Sequence, residues 1–360
     1  MHFVIFGLTV SSSWGNGHAT LWRGLLKAMG RRGHTVTFYE HDLPYYAETR
    51  DGWAAPPGIK LRIFDSFEVI RSEAKRELAR ADVALITSYC QDGPAAARLI
   101  FDSGVAVSAY YDLDTPVTLG RLQSGAAVPY LPKEGLSGFD IVLSYTGGRA
   151  LSELRTRLCA QAVAPLYGWV DPEAHTPATP QQDLRCALSY LGTYAADRQA
   201  ALEELFVQPA RQLPRDSFVL AGAQYPDSFP RSRNITLVSH LPPGLHPTFF
   251  SSSRVTLNVT RRAMAEYGFC PSGRLFEAAA CGTPIVSDVW TGLDTFFVIG
   301  TEILPVRSRD DVVDALSLSD RELAAVAKAA RTRTLTHHTA GHRVAELERI
   351  CEQVVANEMR

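Results

Sequence analysis

Arg274 and Glu277 stand three residues apart in the run Cys270-Pro271-Ser272-Gly273-Arg274-Leu275-Phe276-Glu277-Ala278-Ala279-Ala280-Cys281-Gly282-Thr283-Pro284-Ile285-Val286-Ser287. At that spacing a cation and a carboxylate lie near one face of a helix. Ser272 is placed to act as N-cap, and Leu275, Phe276, Ala279 and Ala280 supply an apolar face. Gly282-Thr283-Pro284 then stops the helix before a buried strand. A helix N-terminus that carries Gly273 and Arg274 suits a diphosphate, and a carboxylate one turn later can accept hydrogen bonds from two vicinal ribose hydroxyls. The same pair could instead form a solvated ion pair, but the helix is otherwise small and apolar, which is out of keeping with an idle pair of charges at its start.

Further candidates lie at strand ends. Gly15-Asn16-Gly17-His18 falls where a first strand passes into a first helix, the edge at which parallel sheets bind ligands. His18 could take a proton from an acceptor hydroxyl, bond a donor phosphate, or cap the helix. A nicotinamide fingerprint competes for this loop, with Glu40 as its ribose-binding acid, but its third glycine position is Thr20. Asp112 and Asp114 follow a strand in Tyr110-Tyr111-Asp112-Leu113-Asp114-Thr115-Pro116 and point in similar directions if the chain is extended. One of them is expected to bind acceptor or act as base, turn formation before proline being the alternative. Gly192-Thr193-Tyr194 could give a diphosphate close backbone approach, with Arg198 one turn later, or be an ordinary junction. Asn258 ends another strand and Arg261 follows as a second phosphate contact. His240 follows the strand at Ile235–Val238 as a further candidate, and the Thr291-Gly292-Leu293-Asp294 turn is expected to close over a bound ligand. His337, His338 and His342 read as a helix–helix junction rather than a metal site, since no further base or carboxylate accompanies them in a metalloprotease pattern.

Alternating elements must position these residues. In the first half, apolar runs at Phe3–Phe6, Thr35–Tyr39, Leu61–Phe64, Val83–Thr87, Val105–Tyr110 and Ile141–Ser144 alternate with helical segments. Among these are one bearing Leu21, Trp22, Leu25, Leu26 and Met29, and others at Ser72–Arg80 and Pro94–Asp102. Such alternation implies a parallel sheet covered on both faces. A Pro-, Thr- and Gln-rich stretch from Trp169 to Gln182 reads as a linker. The alternation resumes with strands at Cys186–Leu191, Phe218–Ala221, Ile235–Val238, Val255–Val259, Ile285–Ser287 and Ile303–Pro305. Ser319-Asp320-Arg321-Glu322 forms a capping box, and a last helix covers Ala340 to Glu358.

Composition limits the partners. A chain of 360 residues with 46% hydrophobic residues is expected to form two domains. A net charge of −2, scattered rather than blocked, gives no footprint for nucleic acid or anionic membrane. Six dispersed cysteines without a Cys-x-x-Cys pair read as reduced thiols and suggest no zinc site. The opening His2–Gly7 is too short for a signal or membrane segment, so a cytoplasmic location is expected.

The doubled Rossmann-like layout, the Gly-Asn-Gly-His loop and the Ser-x-Arg-x-Phe-Glu-Ala-x-Ala-Cys-Gly-Thr-Pro run together resemble GT-B glycosyltransferases, most of all the subgroup related to the CgeB spore-maturation protein. The resemblance implies an α/β chain of GT-B architecture, two Rossmann-like domains facing a cleft. It implies an acceptor-binding domain over 1–170, a nucleotide-sugar-binding domain over 171–339, and a terminal helix, 340–360, that crosses back to the first domain. It further implies a hexosyltransferase-like enzyme that uses a nucleoside diphosphate sugar, UDP-sugar foremost, without metal or cofactor. Glu277 would hold the ribose, Arg274 with the helix start the diphosphate, and His240 would sit where the base stacks. Many retaining members carry another Glu eight residues before the ribose-binding one; that position is Phe269 here, and the nearest earlier carboxylate is Glu266. Retention of anomeric configuration is therefore not implied. The alternatives are a sugar-nucleotide epimerase of the same fold, a nicotinamide-dependent oxidoreductase, and a non-catalytic surface-assembly protein.

Overall fold

A computed structural model describes residues 1–358. The chain divides into two compact units: Met1–Tyr167 with the segment that starts at Ala340, and Gly168–Thr339.

In the first unit, strands β1 (His2–Gly7), β2 (Thr35–His41), β3 (Ile59–Phe64), β4 (Val83–Thr87), β5 (Val107–Asp112), β6 (Ile141–Ser144) and β7 (Val163–Pro165) form a sheet in the order β3-β2-β1-β4-β5-β6-β7. Every pairing is parallel. Parallel strands covered on both faces must be apolar throughout, and Phe3, Val4, Ile5 and Phe6 are accordingly all buried. The helix Gly17–Arg31 buries Leu21, Trp22, Leu25, Leu26 and Met29, its expected stripe. The helix Ala340–Glu358 packs on Gly17–Arg31 through buried Val344, Leu347, Ile350 and Cys351. Glu348 then accepts a hydrogen bond from Arg32 Nε at 2.8 Å and pairs with His34.

In the second unit, β8 (Cys186–Leu191), β9 (Phe218–Ala221), β10 (Ile235–Val238), β11 (Ser253–Asn258), β12 (Ile285–Ser287) and β13 (Leu304–Pro305) form a parallel sheet in the order β10-β9-β8-β11-β12-β13. The two sheets thus share one winding. Each reverses direction beside its first strand, between β1 and β4 and between β8 and β11, and the crevice outside the strand ends at such a reversal is where this class of sheet binds ligands.

Three differences from the sequence expectation bear on function. Strand β5 runs on through Tyr111 to Asp112, so Asp112 is a buried strand residue and not part of an exposed loop. A helix, Thr115–Gln123, begins right after it, with Pro116 in its first turn, where the missing N–H is harmless. The Pro-rich stretch after Trp169 is packed rather than free. Trp169, Val170 and His175 are buried, and the Ala178 and Gln181 amides each donate at 2.9 Å to Ser251 and Ser252 Oγ.

Glu40 ends β2 as an almost wholly buried carboxylate. It accepts hydrogen bonds from Thr9 Oγ1 at 2.6 Å, from the Val10 and Ser11 amides at 2.8 and 3.1 Å, and from the Ser11 hydroxyl. The acid that a nicotinamide fingerprint would aim at a ribose is instead a brace inside the loop that leads to Gly15, Asn16 and Gly17. Glu40→Ala removes a charged acceptor from four donors and is expected to cost about 2–4 kcal/mol, read as a lowered urea midpoint with unchanged slope. A cost well below that would show that the loop holds itself.

Candidate functional site

The second unit gathers its charged groups at the carboxyl ends of β8, β11 and β12. The helix Gly273–Ala280 buries Leu275, Phe276, Ala278, Ala279 and Ala280, and this fixes the directions of Arg274 and Glu277. Ser272 occupies the N-cap position with extended backbone, but its side chain makes no capping bond, so the first turn is not closed by its own cap. Gly282, at φ 76°, ends the helix.

Arg274 lies with its guanidinium carbon 5.1 Å from the centre of the Tyr190 ring and donates from Nη1 to Asn258 Oδ1 at 3.3 Å. Its Nε is buried without a hydrogen-bond partner. Nearby, Arg198 donates to the Thr193 carbonyl, and its Nε too is buried and unpartnered. Burial, and the adjacent positive charges of Arg274 and Arg261, hold the Arg198 guanidinium below its ordinary pKa. Among the described residues neither Arg198 nor Arg274 is bridged to a carboxylate. Two partly buried cations left in this condition fit an anion. Arg261 is more exposed and shares Asp197 with the Arg262 amide, at 3.4 and 3.2 Å.

Close backbone packing makes room for these groups. A side chain at Gly192 would come within 2.7 Å of Arg274 Nη2 and 2.8 Å of Tyr190 Oη. One at Gly222, with φ 155°, would fall 2.0 Å from the Gly192 carbonyl oxygen. Tyr194 continues the junction and donates from its hydroxyl to Gln199 at 2.6 Å. Asn258 is fully used: its Nδ2 donates to Ser287 Oγ at 3.0 Å and to Thr260 Oγ1 at 3.3 Å while its Oδ1 receives Arg274. Asp288 accepts from the Thr260 amide and hydroxyl at 3.0 Å, and burial raises its pKa.

Glu277, one turn beyond Arg274, faces two histidines: Oε1 is 3.9 Å from His175 Nε2 and Oε2 is 3.8 Å from His246 Nδ1. His175 is 3% exposed. Burial lowers the pKa of His246, the neighbouring Glu277 opposing the effect. His240 is half-buried, and burial lowers its pKa as well. The Thr291–Gly292 turn rests on Gly268 and Phe269, the Phe269 amide donating to the Thr291 carbonyl at 2.7 Å. Phe269 itself adopts a left-handed φ of 46°. Glu266 lies in an exposed ion pair with Arg262 at 2.9 Å.

In the first unit the helix after β1 is capped by Asn16, whose side chain accepts the His18 amide at 3.1 Å, so His18 is not the cap. Its ring faces Asp114, with Nε2 3.4 Å from Oδ2 and each side chain about a fifth exposed. Asp112 lies behind Asp114 and is fully buried; its Oδ1 accepts the Asp114 amide at 3.1 Å and sets the turn. Burial pushes its carboxyl up to about 6, against the Thr118 hydroxyl and the Asp114 amide, which favour the anion. Tyr89, two residues beyond β4, takes a left-handed φ of 65°, and its ring lies 5.8 Å from that of His18. Such strain in a non-glycine residue collects at functional positions.

The structure therefore brings together Asn258, Arg274, Tyr190, Gly192, Thr193 and Arg198 in one unit, and His18, Asp112 and Asp114 in the other. Sequence reasoning missed Tyr89, His175, Tyr190 and His246. A strand end was the available signal for Tyr89 and Tyr190; the two histidines are 71 positions apart and carried none. His338 ends one helix and His342 lies in the next, so their four-residue spacing does not fall on one helix, and His338 stacks on Phe276 at 4.7 Å. Among the described residues no helix is long and apolar enough to cross a membrane.

Residues 198–349 match the family described as glycosyl transferase-like. No curated protein matches the sequence. Among solved structures, sucrose-phosphate synthase from Thermosynechococcus elongatus is 14% identical with a TM-score of 0.70, over 99% of this chain and 100% of that one. The catalytic domain of starch synthase IV from Arabidopsis thaliana, bound to ADP and acarbose, is 12% identical with a TM-score of 0.67, over 99% of each chain. An alpha-glucosyltransferase in complex with UDP-glucose and DNA containing an abasic site is 14% identical with a TM-score of 0.66, over 98% and 99%. The fold of the chain is that of these GT-B structures, and its residues 198–349 match the glycosyl transferase-like family.

Because the folded state holds Asp112 protonated up to about pH 6 whereas an unfolded carboxyl ionises near 4, folding binds a proton between these limits. The stability that Asp112 contributes is complete below about pH 4 and is lost as pH rises through about 6. Asp112→Asn should remove that fall, on the order of 2–3 kcal/mol, in urea melts taken from pH 4 to 7. An unchanged pH profile would show that another group titrates.

Proposed function

We propose that the protein transfers a sugar from a nucleoside diphosphate sugar to an acceptor hydroxyl, the second unit holding the donor and the first unit the acceptor. The observation that carries this reading is the pair of partly buried guanidinium groups, Arg198 and Arg274, that lack a carboxylate partner among the described residues, Arg274 standing one helical turn from Glu277. A diphosphate supplies the missing negative charge, and its ribose diol can donate to Glu277. UDP is the favoured nucleotide, in keeping with the UDP-glucose bound by the alpha-glucosyltransferase. The Ser272–Pro284 run supports a likeness to the CgeB-like subgroup. A saccharide or other small acceptor inside the cell, rather than nucleic acid, suits the scattered charge.

In the transfer, the bond between the anomeric carbon and the β-phosphate oxygen breaks, its electron pair leaves with the nucleoside diphosphate, and the acceptor oxygen bonds to the anomeric carbon. The acceptor proton passes to His18, which Asp114 orients at 3.4 Å and whose turn Asp112 fixes. Arg274 and Arg198 meet the charge that develops on the departing diphosphate, so the step itself calls for no metal. Phe269 presents no carboxylate and Glu266 is engaged with Arg262, so the second carboxylate of many retaining members has no counterpart at these positions.

Isothermal titration with UDP should show Glu277→Ala weakened about tenfold to a hundredfold, the loss of a charged acceptor. Arg274→Ala should lower kcat about tenfold to a thousandfold, and His18→Ala about a hundredfold or more with UDP affinity unchanged. Unchanged kinetics and binding in the Arg274 and Glu277 variants would remove the donor site. Product analysis with sugar nucleotide alone separates transfer from epimerisation, which needs no acceptor.

A further inference from the structure

The geometry points to a site for a borderline-soft divalent metal ion, zinc in class, formed by His175 Nε2, His246 Nδ1 and the Glu277 carboxylate within the second unit. The three ligand atoms lie within 4.8 Å of one another. Three segments deliver them: the packed stretch after Trp169, the first residue of the helix His246–Ser252, and the middle of the helix Gly273–Ala280. The first of these is pinned by its backbone, the His175 amide donating to the Asp171 carbonyl at 2.9 Å.

Proton placement is the decisive point. His246 Nε2 lies 3.3 Å from the Leu241 carbonyl oxygen, which can only accept, so Nε2 carries the proton and Nδ1 presents a lone pair. That lone pair faces a carboxylate oxygen at 3.8 Å, so two electron-rich atoms are turned toward each other. His175 adds a second imidazole in need of partners: neither of its ring nitrogens has a hydrogen-bond partner, nor has His246 Nδ1, and the His175 ring is almost wholly buried. Buried polar atoms left in this state call for an occupant that accepts electron pairs. A histidine that donates its second nitrogen to a backbone carbonyl is how metal ligands are commonly oriented.

The ligand set selects the ion. Two imidazoles and one carboxylate suit zinc or cobalt, whereas magnesium and calcium take oxygen. A point equidistant from atoms 3.8–4.8 Å apart lies about 2.2–2.8 Å from each, against about 2.0–2.2 Å for zinc bonds, so a contraction of at most about 0.8 Å closes the site with one position open. The consequence rests on the donor reading above: a metal ion on Glu277 withdraws the acceptor that the ribose needs, so zinc inhibits by competing with the sugar nucleotide.

Cobalt(II) chloride titrated into untagged, chelator-stripped wild-type protein should give the visible bands of tetrahedral Co²⁺ at one equivalent, without the near-ultraviolet band of a thiolate ligand, and one equivalent of zinc chloride should bleach them. His175→Ala and His246→Gln, checked by thermal melting, should each lower metal affinity at least tenfold. Absence of binding, a thiolate band, or full binding in both folded variants overturns the site. UDP affinity is then measured with chelator and with zinc. A tenfold or greater loss with zinc supports competition. Equal UDP affinity in a zinc-loaded protein overturns competition and leaves the metal site standing, while absence of UDP binding even with chelator sinks the donor reading alone.

Discussion

A positive charge half-buried on an aromatic ring is the condition around which the second unit is arranged. Arg274 meets Tyr190 and the amide oxygen of Asn258, where an ordinary surface arginine would meet a carboxylate. Much of its neighbourhood follows from keeping that cation in place and unneutralised. Asn258 is locked by Ser287 and Thr260, so its oxygen is the end turned to the arginine. The Gly192 and Gly222 backbones approach so closely that no side chain fills the space beside the guanidinium. Asp288, the nearby acid, is engaged by the Thr260 amide and hydroxyl rather than hydrogen-bonded to the arginine.

The two units solve the same topological problem with opposite chemistry. Both sheets wind in the same order and present loops at the same reversal point. In the second unit the reversal collects arginines; in the first it collects a histidine and two aspartates, with Glu40 tying the loop from within. Asp112 and Asp114 show how burial divides like residues. One is sealed in the strand and holds the turn, the other stays beside His18 and is about a fifth exposed. Loss of the turn would displace the second carboxylate without touching it.

Most of the fold was legible because parallel strands are continuous apolar runs: Val83–Thr87, Cys186–Leu191 and Phe218–Ala221 are bounded in the structure as the sequence implies. Boundaries failed where a polar residue was buried. Asp112 reads as loop by its chemistry, yet the strand carries it, since parallel pairing with Ser144 outweighs its polarity. The helix holding Arg274 and Glu277 was visible from its spacing and its glycine stop, and so was the junction at Gly192. What surrounds Glu277 was not. His175 sits in a stretch whose prolines suggest a tether, and His246 is flanked by prolines in Leu241-Pro242-Pro243-Gly244-Leu245-His246-Pro247. Composition suggests that such segments lack regular structure, but it reports neither that they are packed nor that His246 opens the helix His246–Ser252.

That packing changes the chemistry available to Glu277. A carboxylate alone on a helix would be satisfied by water, and its preference among ligands would be weak. Set against one lone pair fixed by the Leu241 carbonyl and a second buried imidazole, it becomes part of an electron-rich pocket that rewards whatever brings protons or positive charge. A ribose diol brings two hydroxyl protons and a metal ion brings charge, and the two cannot share one carboxylate on equal terms. The arginines nearby tip the balance, because they favour the occupant that carries its own phosphates and oppose a bare cation. On the proposed donor reading, selectivity for the nucleotide resides in the separation between Arg274 and Glu277 along one short helix, and the histidines set how strongly the far end of that helix must be filled.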